Sequence, residues 1–317
     1  MLARNKSIDI LKIVLMIYVI LVHLMPYKFD SEFQTTIATI FHAVARIVIP
    51  LFFIITGYFI KNKINDSNRI KENIFKFIKM FIIWQIIYGY LVYLLYKNNL
   101  IPNDQLLLSL FYGFGHLWYL NALFLGLILL YFTRNIKLNF KLYLAVGLIV
   151  IGYILQMLFE LKYFSISQIF IYNLIGTSRN FLFLGFPYLL IGTIIQDLKI
   201  KKLKLGIFIF LTCIILEAFI YKTHNINISN LFISSIPLSI FVFKYLLSLN
   251  VESNFSLNPK LLLGTYLIHF YPVFYLTIYY PENTLVIVFL KILLVALITF
   301  IVFYFLNLID KKIKLLF

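Results

Sequence analysis

A lysine and a histidine stand eleven residues apart in an apolar run near the start of this 317-residue chain. On an α-helix, eleven steps of about 100° leave only about 20° of rotation, so Lys12 and His23 would share one face, roughly 16 Å apart. A cation at one end and a neutral imidazole deeper in the run suit a long donor with an anionic head, such as coenzyme A. In the alternative, Lys12 is an anchor paired with Asp9, and His23 is a hydrogen bonder between helices.

Nine ionisable side chains, Lys12 and His23 among them, lie inside apolar runs, where a charge in a bilayer would cost about 3 kcal/mol and usually marks a function. No HExxH pattern and only one cysteine, Cys213, are present, so we expect no metal site. The ionisable residues concerned are Asp9, Lys12, His23, His42, Arg46, Arg179, Glu217, His269 and Lys291.

The composition excludes an ordinary soluble enzyme. Hydrophobic residues make up 62% of the chain and charged residues 13%, against about 45–50% and about 25% in soluble domains. We therefore predict an all-α, polytopic membrane protein with one domain over residues 1–317. Ten apolar runs are long enough to cross a bilayer. They lie at 8–27, 36–60, 74–96, 116–133, 141–160, 179–196, 203–222, 231–249, 261–280 and 285–309.

The basic residues sort to one side of these ten spans. Of 28 lysines and arginines, 20 fall at the termini and in the connections on the same side, and 4 on the opposite side. This positive-inside pattern predicts cytoplasmic termini in a cell membrane. The net charge of +16 then faces anionic lipid, which excludes nucleic acid as a partner.

Five segments resemble the acyltransferase-3 family of integral membrane O-acyltransferases. The first, SIDILKIVLMIYVILVH, is similar to a family motif of Arg or Lys, ten residues and His, which Lys12 and His23 fit. The others are VIPLFFIITGYFI at 48–60, GHLWYLNALF at 115–124, RNFLFLGFPYLLIG at 179–192 and GTYLIHFYPV at 264–273.

The resemblance implies transfer of an acetyl or similar short acyl group to a hydroxyl of a cell-envelope or surface glycan. Acyl-CoA would be the donor co-substrate on the cytoplasmic side, with no tightly bound cofactor. Many members carry Arg-x-x-Arg before the third helix, whereas this chain has Lys76-Phe-Ile-Lys79, which keeps the charge but loses the bidentate fork. Lys12, Lys76, Lys79 and the nearby Arg69 are the candidate ligands of the CoA phosphates.

His23 is the candidate general base that deprotonates the acceptor hydroxyl. His42 and Arg46 are four residues apart on one helix face, and Pro50 removes the hydrogen-bond partner of the Arg46 carbonyl, so we expect a kink there. They are candidates for stabilising the oxyanion or positioning the acceptor. Alternatively, Arg46 neutralises Glu217.

The remaining candidates each have a functional and a structural interpretation. His116, Trp118 and Tyr119 could bind a sugar ring or belong to the interfacial aromatic belt. Arg179 could hold an anionic acceptor or snorkel. His269 could act at the substrate site or hydrogen-bond between helices. Glu217, also a candidate for substrate binding, could be the counter-charge to Arg46, Arg179 or Lys291.

The main alternative to an acyltransferase is a transporter of a small polar solute or glycan, because multi-span proteins with buried charges often transport. A non-enzymatic scaffold would leave Lys12 and His23 without a purpose. Thioester cleavage by the purified protein would distinguish an acyltransferase from a transporter.

The charge distribution makes a prediction about orientation. Single cysteines at residues 66 and 200 should be shielded from an impermeant thiol reagent in intact cells, and a cysteine at 103 should be labelled. Cys213, inside a span, should remain unlabelled. The reverse labelling pattern would contradict the cytoplasmic placement of the termini.

Overall fold

A computed structural model describes residues 6–98, 103–163, 178–226, 231–249, 258–280 and 284–313, which together form a bundle of helices. Parts of the predicted connections at 97–115 and 161–178 lie outside these ranges. The helices are α1 (Lys6–Leu24), α2 (Glu32–Ala45), α3 (Val48–Ile60), α4 (Ser67–Lys97), α5 (Asn103–Tyr112), α6 (Trp118–Phe132), α7 (Leu138–Glu160), α8 (Phe186–Ile194), α9 (Leu203–Thr223), α10 (Ser235–Ser248), α11 (Pro259–Ile268), α12 (Phe270–Tyr279) and α13 (Leu285–Ile313). A 3₁₀ turn, Gly115–Leu117, precedes α6, and a wide π-type turn, Phe181–Gly185, precedes α8.

The prediction of an all-α, polytopic membrane protein is confirmed. Eight helical segments of the described chain are long and apolar enough to cross a membrane, with α2–α3 and α11–α12 each forming one segment. The sixth and eighth predicted spans are shorter, covering Phe181–Ile194 and Ser235–Ser248. Fourteen helical residues extend only about 21 Å, so these two fall short of the full crossing that the sequence predicted.

Prolines mark the breaks within three apolar segments. The helix is interrupted at Arg46 and Ile47, immediately before α3, as expected because Pro50 cannot donate to the Arg46 carbonyl. Pro272 likewise follows the α11–α12 junction at His269. Pro187 follows the wide turn that leads into α8. The breaks place Arg46 and His269 at helix junctions rather than on continuous helical faces.

Helix α8 lies at the centre of the bundle, and each of its nine residues is buried. Its most extensive contacts are with α3, where two glycines let the backbones approach closely. A Cβ atom at Gly57 would overlap the carbonyl oxygen of Leu189, and one at Gly192 would overlap that of Ile54. This close approach holds α3, and therefore the Arg46 junction, against the core.

Replacing Gly192 with alanine should lower stability by about 1–3 kcal/mol, because the obstructing atoms belong to backbone and cannot rotate away. The matched control is Gly147→Ala in α7, where an added Cβ meets nothing within 4 Å. The control should be neutral or stabilising by about 0.5–1 kcal/mol, since alanine favours the helix. Thermal unfolding in detergent measures both, and equal midpoints would contradict the α3–α8 packing.

Glu217 on α9 does not pair with an arginine or with Lys291. Its carboxylate accepts hydrogen bonds from the Tyr221 hydroxyl at 2.8 Å, and from the backbone N–H groups of Ile233 at 2.9 Å and Ser234 at 3.1 Å. These N–H groups lie at the start of α10, where the helix dipole favours an anion. Glu217 thus joins α9 to α10, which corrects the counter-charge interpretation. Lys291 in α13 donates to the Tyr280 carbonyl at the end of α12.

Glu217→Ala should destabilise the protein by about 1–3 kcal/mol, because it leaves the buried N–H group of Ser234 and the half-buried one of Ile233 without their acceptor. Glu217→Gln keeps one oxygen acceptor and should lower the stability by less. The readout is again the midpoint of thermal unfolding. A stably folded Gln variant with a raised acceptor KM would instead place Glu217 at the substrate site.

Candidate functional site

One face of α1 borders two cavities in succession. Asp9, Lys12, Met16 and Val19 line a cavity of about 310 Å³, called here the Lys12 cavity. Val19, Val22 and His23 line a second cavity of about 110 Å³, the His23 cavity. The three- and four-residue steps from Asp9 to His23 keep these side chains on one stripe. The structure therefore places Lys12 and His23 on a common face, as their spacing predicted.

The two cavities share a wall made by four side chains. Val19 from α1, Ile49 from α3, Tyr119 from α6 and Tyr266 from α11 line both of them. Four helices thus converge between Lys12 and His23. The two cavities therefore adjoin at these four side chains.

Lys12 is held by two contacts at one end of the Lys12 cavity. Its ammonium group lies 3.2 Å from the Asp9 carboxylate and 4.8 Å from the centre of the Phe59 ring. Asp9 is buried, and Lys12 keeps about a quarter of its side chain exposed. The pairing with Asp9 that the sequence suggested is present, and it fixes the ammonium group at the cavity.

The other predicted phosphate ligands lie outside both cavities. Lys76 and Lys79 are exposed on α4, and Phe77 between them lines the Lys12 cavity. Arg69, near the start of α4, is exposed and forms an ion pair with Asp66 at 3.0 Å. Helix α4 thus lines the Lys12 cavity with the Phe77 ring, and none of the three cations lines it.

The His23 cavity collects five other predicted site residues: Arg46, His116, Trp118, Tyr119 and Arg179. Arg46 donates to the Tyr27 hydroxyl at 3.3 Å, and the Arg179 guanidinium lies 5.5 Å from the Trp118 ring centre. Among the described residues that line this cavity, none is acidic. The two guanidinium groups therefore make it electropositive.

Three histidines from separate elements meet beside the His23 cavity. The His269 ring centre lies 5.6 Å from that of His23 and 5.1 Å from that of His116. His116 and His269 are buried, whereas His23 is exposed in the cavity. Both ring nitrogens of His116 and Nε2 of His269 have no hydrogen-bond partner within the described chain. Buried polar atoms of this kind call for a water, a ligand or a catalytic role.

His42 occupies a different position from the one expected. Its Nε2 is 3.1 Å from the Met25 carbonyl oxygen, and its ring stacks on Tyr27 with centres 4.0 Å apart. It lines neither cavity. His42 stacks on Tyr27, and Tyr27 accepts a hydrogen bond from Arg46. His42 therefore supports the arginine indirectly, through Tyr27.

Tyr266 is a site residue that its type and spacing in the sequence did not predict. It lines both cavities, and its hydroxyl donates to the His116 carbonyl, which ties α11 to the turn before α6. The available signal was its position three residues before His269 in the segment GTYLIHFYPV. Residues three apart on a helix share a face.

The chain is similar in sequence to parts of two longer racemases. An amino-acid racemase of Enterococcus faecalis is 30% identical over 151 residues, which cover 45% of this chain and 21% of that protein. A serine/alanine racemase of Enterococcus gallinarum is 25% identical over 294 residues, 85% of this chain and 41% of that protein. The chain thus spans less than half the length of either relative, and no solved structure matches it.

The family comparison covers nearly the whole chain. Residues 5–308 match the acyltransferase domain that defines the acyltransferase-3 family. This range includes α1 with its lysine and histidine, both cavities and the three-histidine cluster. The resemblance noted in five sequence segments is confirmed by a match across all of them, and the chain is a membrane protein that belongs to the acyltransferase-3 family.

Proposed function

We propose that this protein moves an acetyl or similar short acyl group from acyl-CoA to a hydroxyl of a cell-envelope or surface glycan. The observation that carries this proposal is the pair of adjoining cavities, with Lys12 at one and His23 at the other. A donor and an acceptor entering from opposite sides would meet at the shared wall. Acyl-CoA is a co-substrate here, and the bilayer of the cell membrane is the other partner.

The Lys12 cavity is the donor site in this proposal. The Lys12 ammonium would meet a CoA phosphate, and the thioester arm would run along α1 toward Tyr119 and Tyr266. About 16 Å of helix separates Lys12 from His23, a length that an extended pantetheine arm matches. Lys76, Lys79 and Arg69 would attract the phosphates at the cytoplasmic surface, where exposed cations act over about 10 Å.

His23 is the general base in the proposed reaction. Its imidazole takes the proton of the acceptor hydroxyl while the hydroxyl oxygen attacks the thioester carbonyl. The tetrahedral intermediate collapses, the carbon–sulfur bond breaks, and the proton passes to the CoA thiolate. The products are an ester and free CoA, so no other reactant is required.

The His23 cavity is the acceptor site. Arg46 lies at a helix junction beside His23, where its guanidinium would stabilise the oxyanion, a contribution of about 3–4 kcal/mol in comparable sites. Trp118 offers a ring on which a sugar could stack. The positive lining with Arg46 and Arg179 favours an acceptor that carries a negative charge near its hydroxyl.

Lys12→Ala should raise the KM for acyl-CoA about 10- to 150-fold, the equivalent of a charge-assisted contact of about 1.5–3 kcal/mol. Lys12→Arg should keep most activity because the charge is retained. His23→Ala should lower kcat by about 10²- to 10⁴-fold with little change in donor KM. The measurement is release of the CoA thiol by purified protein with an acceptor present.

Two exposed residues outside both cavities provide matched controls. Lys63→Ala and His224→Ala should leave both kinetic constants near those of the unaltered protein. Retained turnover in His23→Ala would remove the base from the mechanism. Failure of the unaltered protein to cleave any acyl-CoA, together with uptake of a polar solute into vesicles, would favour the transporter.

A further inference from the structure

The imidazole ring of His269 lies beside that of the proposed base, His23. Nδ1 of His269 is 2.7 Å from the Tyr266 carbonyl oxygen and 3.2 Å from that of Thr265. Carbonyl oxygens only accept hydrogen bonds, so Nδ1 carries the proton. In a neutral imidazole the other nitrogen is then an acceptor. The backbone of α11 therefore fixes the tautomer of His269 and leaves Nε2 as a buried acceptor without a partner in the described chain.

The separation of the His23 and His269 rings is close to that of two hydrogen-bonded imidazoles. Two imidazoles joined by an N–H···N hydrogen bond of about 3 Å have ring centres about 5 Å apart, and the observed separation is 5.6 Å. Phe270 meets the His23 ring edge-on at 5.5 Å and restricts its movement.

We propose that His269 is the positioning residue for His23, a proposal that rests on the proposed function. Its Nε2 accepts the N–H of one His23 nitrogen and thereby directs the other, unprotonated nitrogen at the acceptor hydroxyl. When His23 takes the hydroxyl proton and becomes an imidazolium, the same hydrogen bond stabilises the charge. His269 itself gains and loses no proton, and the proton on His23 leaves with the CoA thiol.

Two substitutions separate positioning from a structural role. The side-chain amide nitrogen of asparagine reaches the place of Nδ1, so His269→Asn can keep a bond to the Tyr266 or Thr265 carbonyl but offers no acceptor at Nε2. The terminal oxygen of glutamine reaches the place of Nε2, so His269→Gln keeps the acceptor and loses the carbonyl bonds. If His269 has only a structural role, the asparagine variant should retain more activity. If His269 positions His23, the glutamine variant should retain more.

The experiment measures kcat, donor KM and thermal midpoint for both variants in the full chain. We expect His269→Asn to lower kcat about 10- to 100-fold with donor KM unchanged, the size of effect found for groups that orient metal-bound histidines. His269→Gln should retain more of the rate despite a lower thermal midpoint. Should the asparagine variant fail to fold, His269→Ala is compared with His269→Gln, because both lose the carbonyl bonds and only glutamine keeps the acceptor. Higher activity in the variant without the acceptor would overturn the proposal.

His116 is the competing donor to the same nitrogen, because its ring centre is 5.1 Å from that of His269. His116→Phe keeps an aromatic ring against Phe270 and Tyr266 but removes both nitrogens. The advantage of glutamine over asparagine at 269 should persist in this background. Its disappearance would make His116 the partner and refute the assignment to His23.

A second readout does not depend on acyl transfer. Diethyl pyrocarbonate reacts with the unprotonated imidazole nitrogen, and the modified peptides are quantified by mass spectrometry. His269→Asn should slow the reaction of His23, while the exposed His224 reacts unchanged and serves as the internal reference. If the unaltered protein cleaves no acyl-CoA, the proposed function fails, and this readout still decides whether His269 acts on His23. Equal rates at His23 in both proteins would contradict the contact.

Discussion

The absence of water from the bilayer core is the constraint on which this structure depends. Every backbone group released by a break in a helix must find a protein partner or line a cavity. Pro50 and Pro272 each release a carbonyl in an apolar segment; the first break borders the His23 cavity, and His269 lies at the second. At the second break, the His269 imidazole bonds to the carbonyls of Thr265 and Tyr266. These carbonyls precede the break and orient the His269 ring, whereas the carbonyl that Pro272 leaves without its backbone donor is that of Ile268.

The central helix α8 supports the segments next to these breaks, because it is buried along its whole length and packs against several helices. Gly57 and Gly192 bring α3 and α8 into backbone contact, which holds the segment after the Arg46 junction in place. Asn180 accepts hydrogen bonds from the N–H groups of Leu182 and Phe183 and so caps the wide turn before α8. Arg179, one residue earlier, is thereby held at the His23 cavity. Packing in the core and the position of the arginines are consequences of the same contacts.

The arrangement of charge along α1 is asymmetric. The Lys12 cavity has a single ammonium group next to a carboxylate, and the His23 cavity has two guanidinium groups and no acidic side chain among its described residues. Aromatic and aliphatic side chains separate the two ends. In the proposed reaction, these intervening side chains would keep the donor and the acceptor apart except at their reacting atoms.

Features that depend on local periodicity could be predicted from the sequence. The helical face shared by Lys12 and His23, the break before Pro50 and most of the spans follow from spacing, proline chemistry and run length. The family also followed from residues in order along the chain. The two short spans were overestimated, because hydropathy measures how apolar a segment is and not where its helix starts.

Only the tertiary structure decided which distant residues meet. His23, His116 and His269 come from three elements and show no common spacing, yet their rings lie within 5.6 Å of a neighbour. Glu217 bonds to the start of α10 instead of an arginine, and His42 supports Tyr27 rather than lining a cavity. The sequence by itself determined the helices and the faces that carry chemistry. Packing between non-neighbouring helices determined the partners, because the contacts that select them are made by side-chain shape across the bundle and leave no period in the chain.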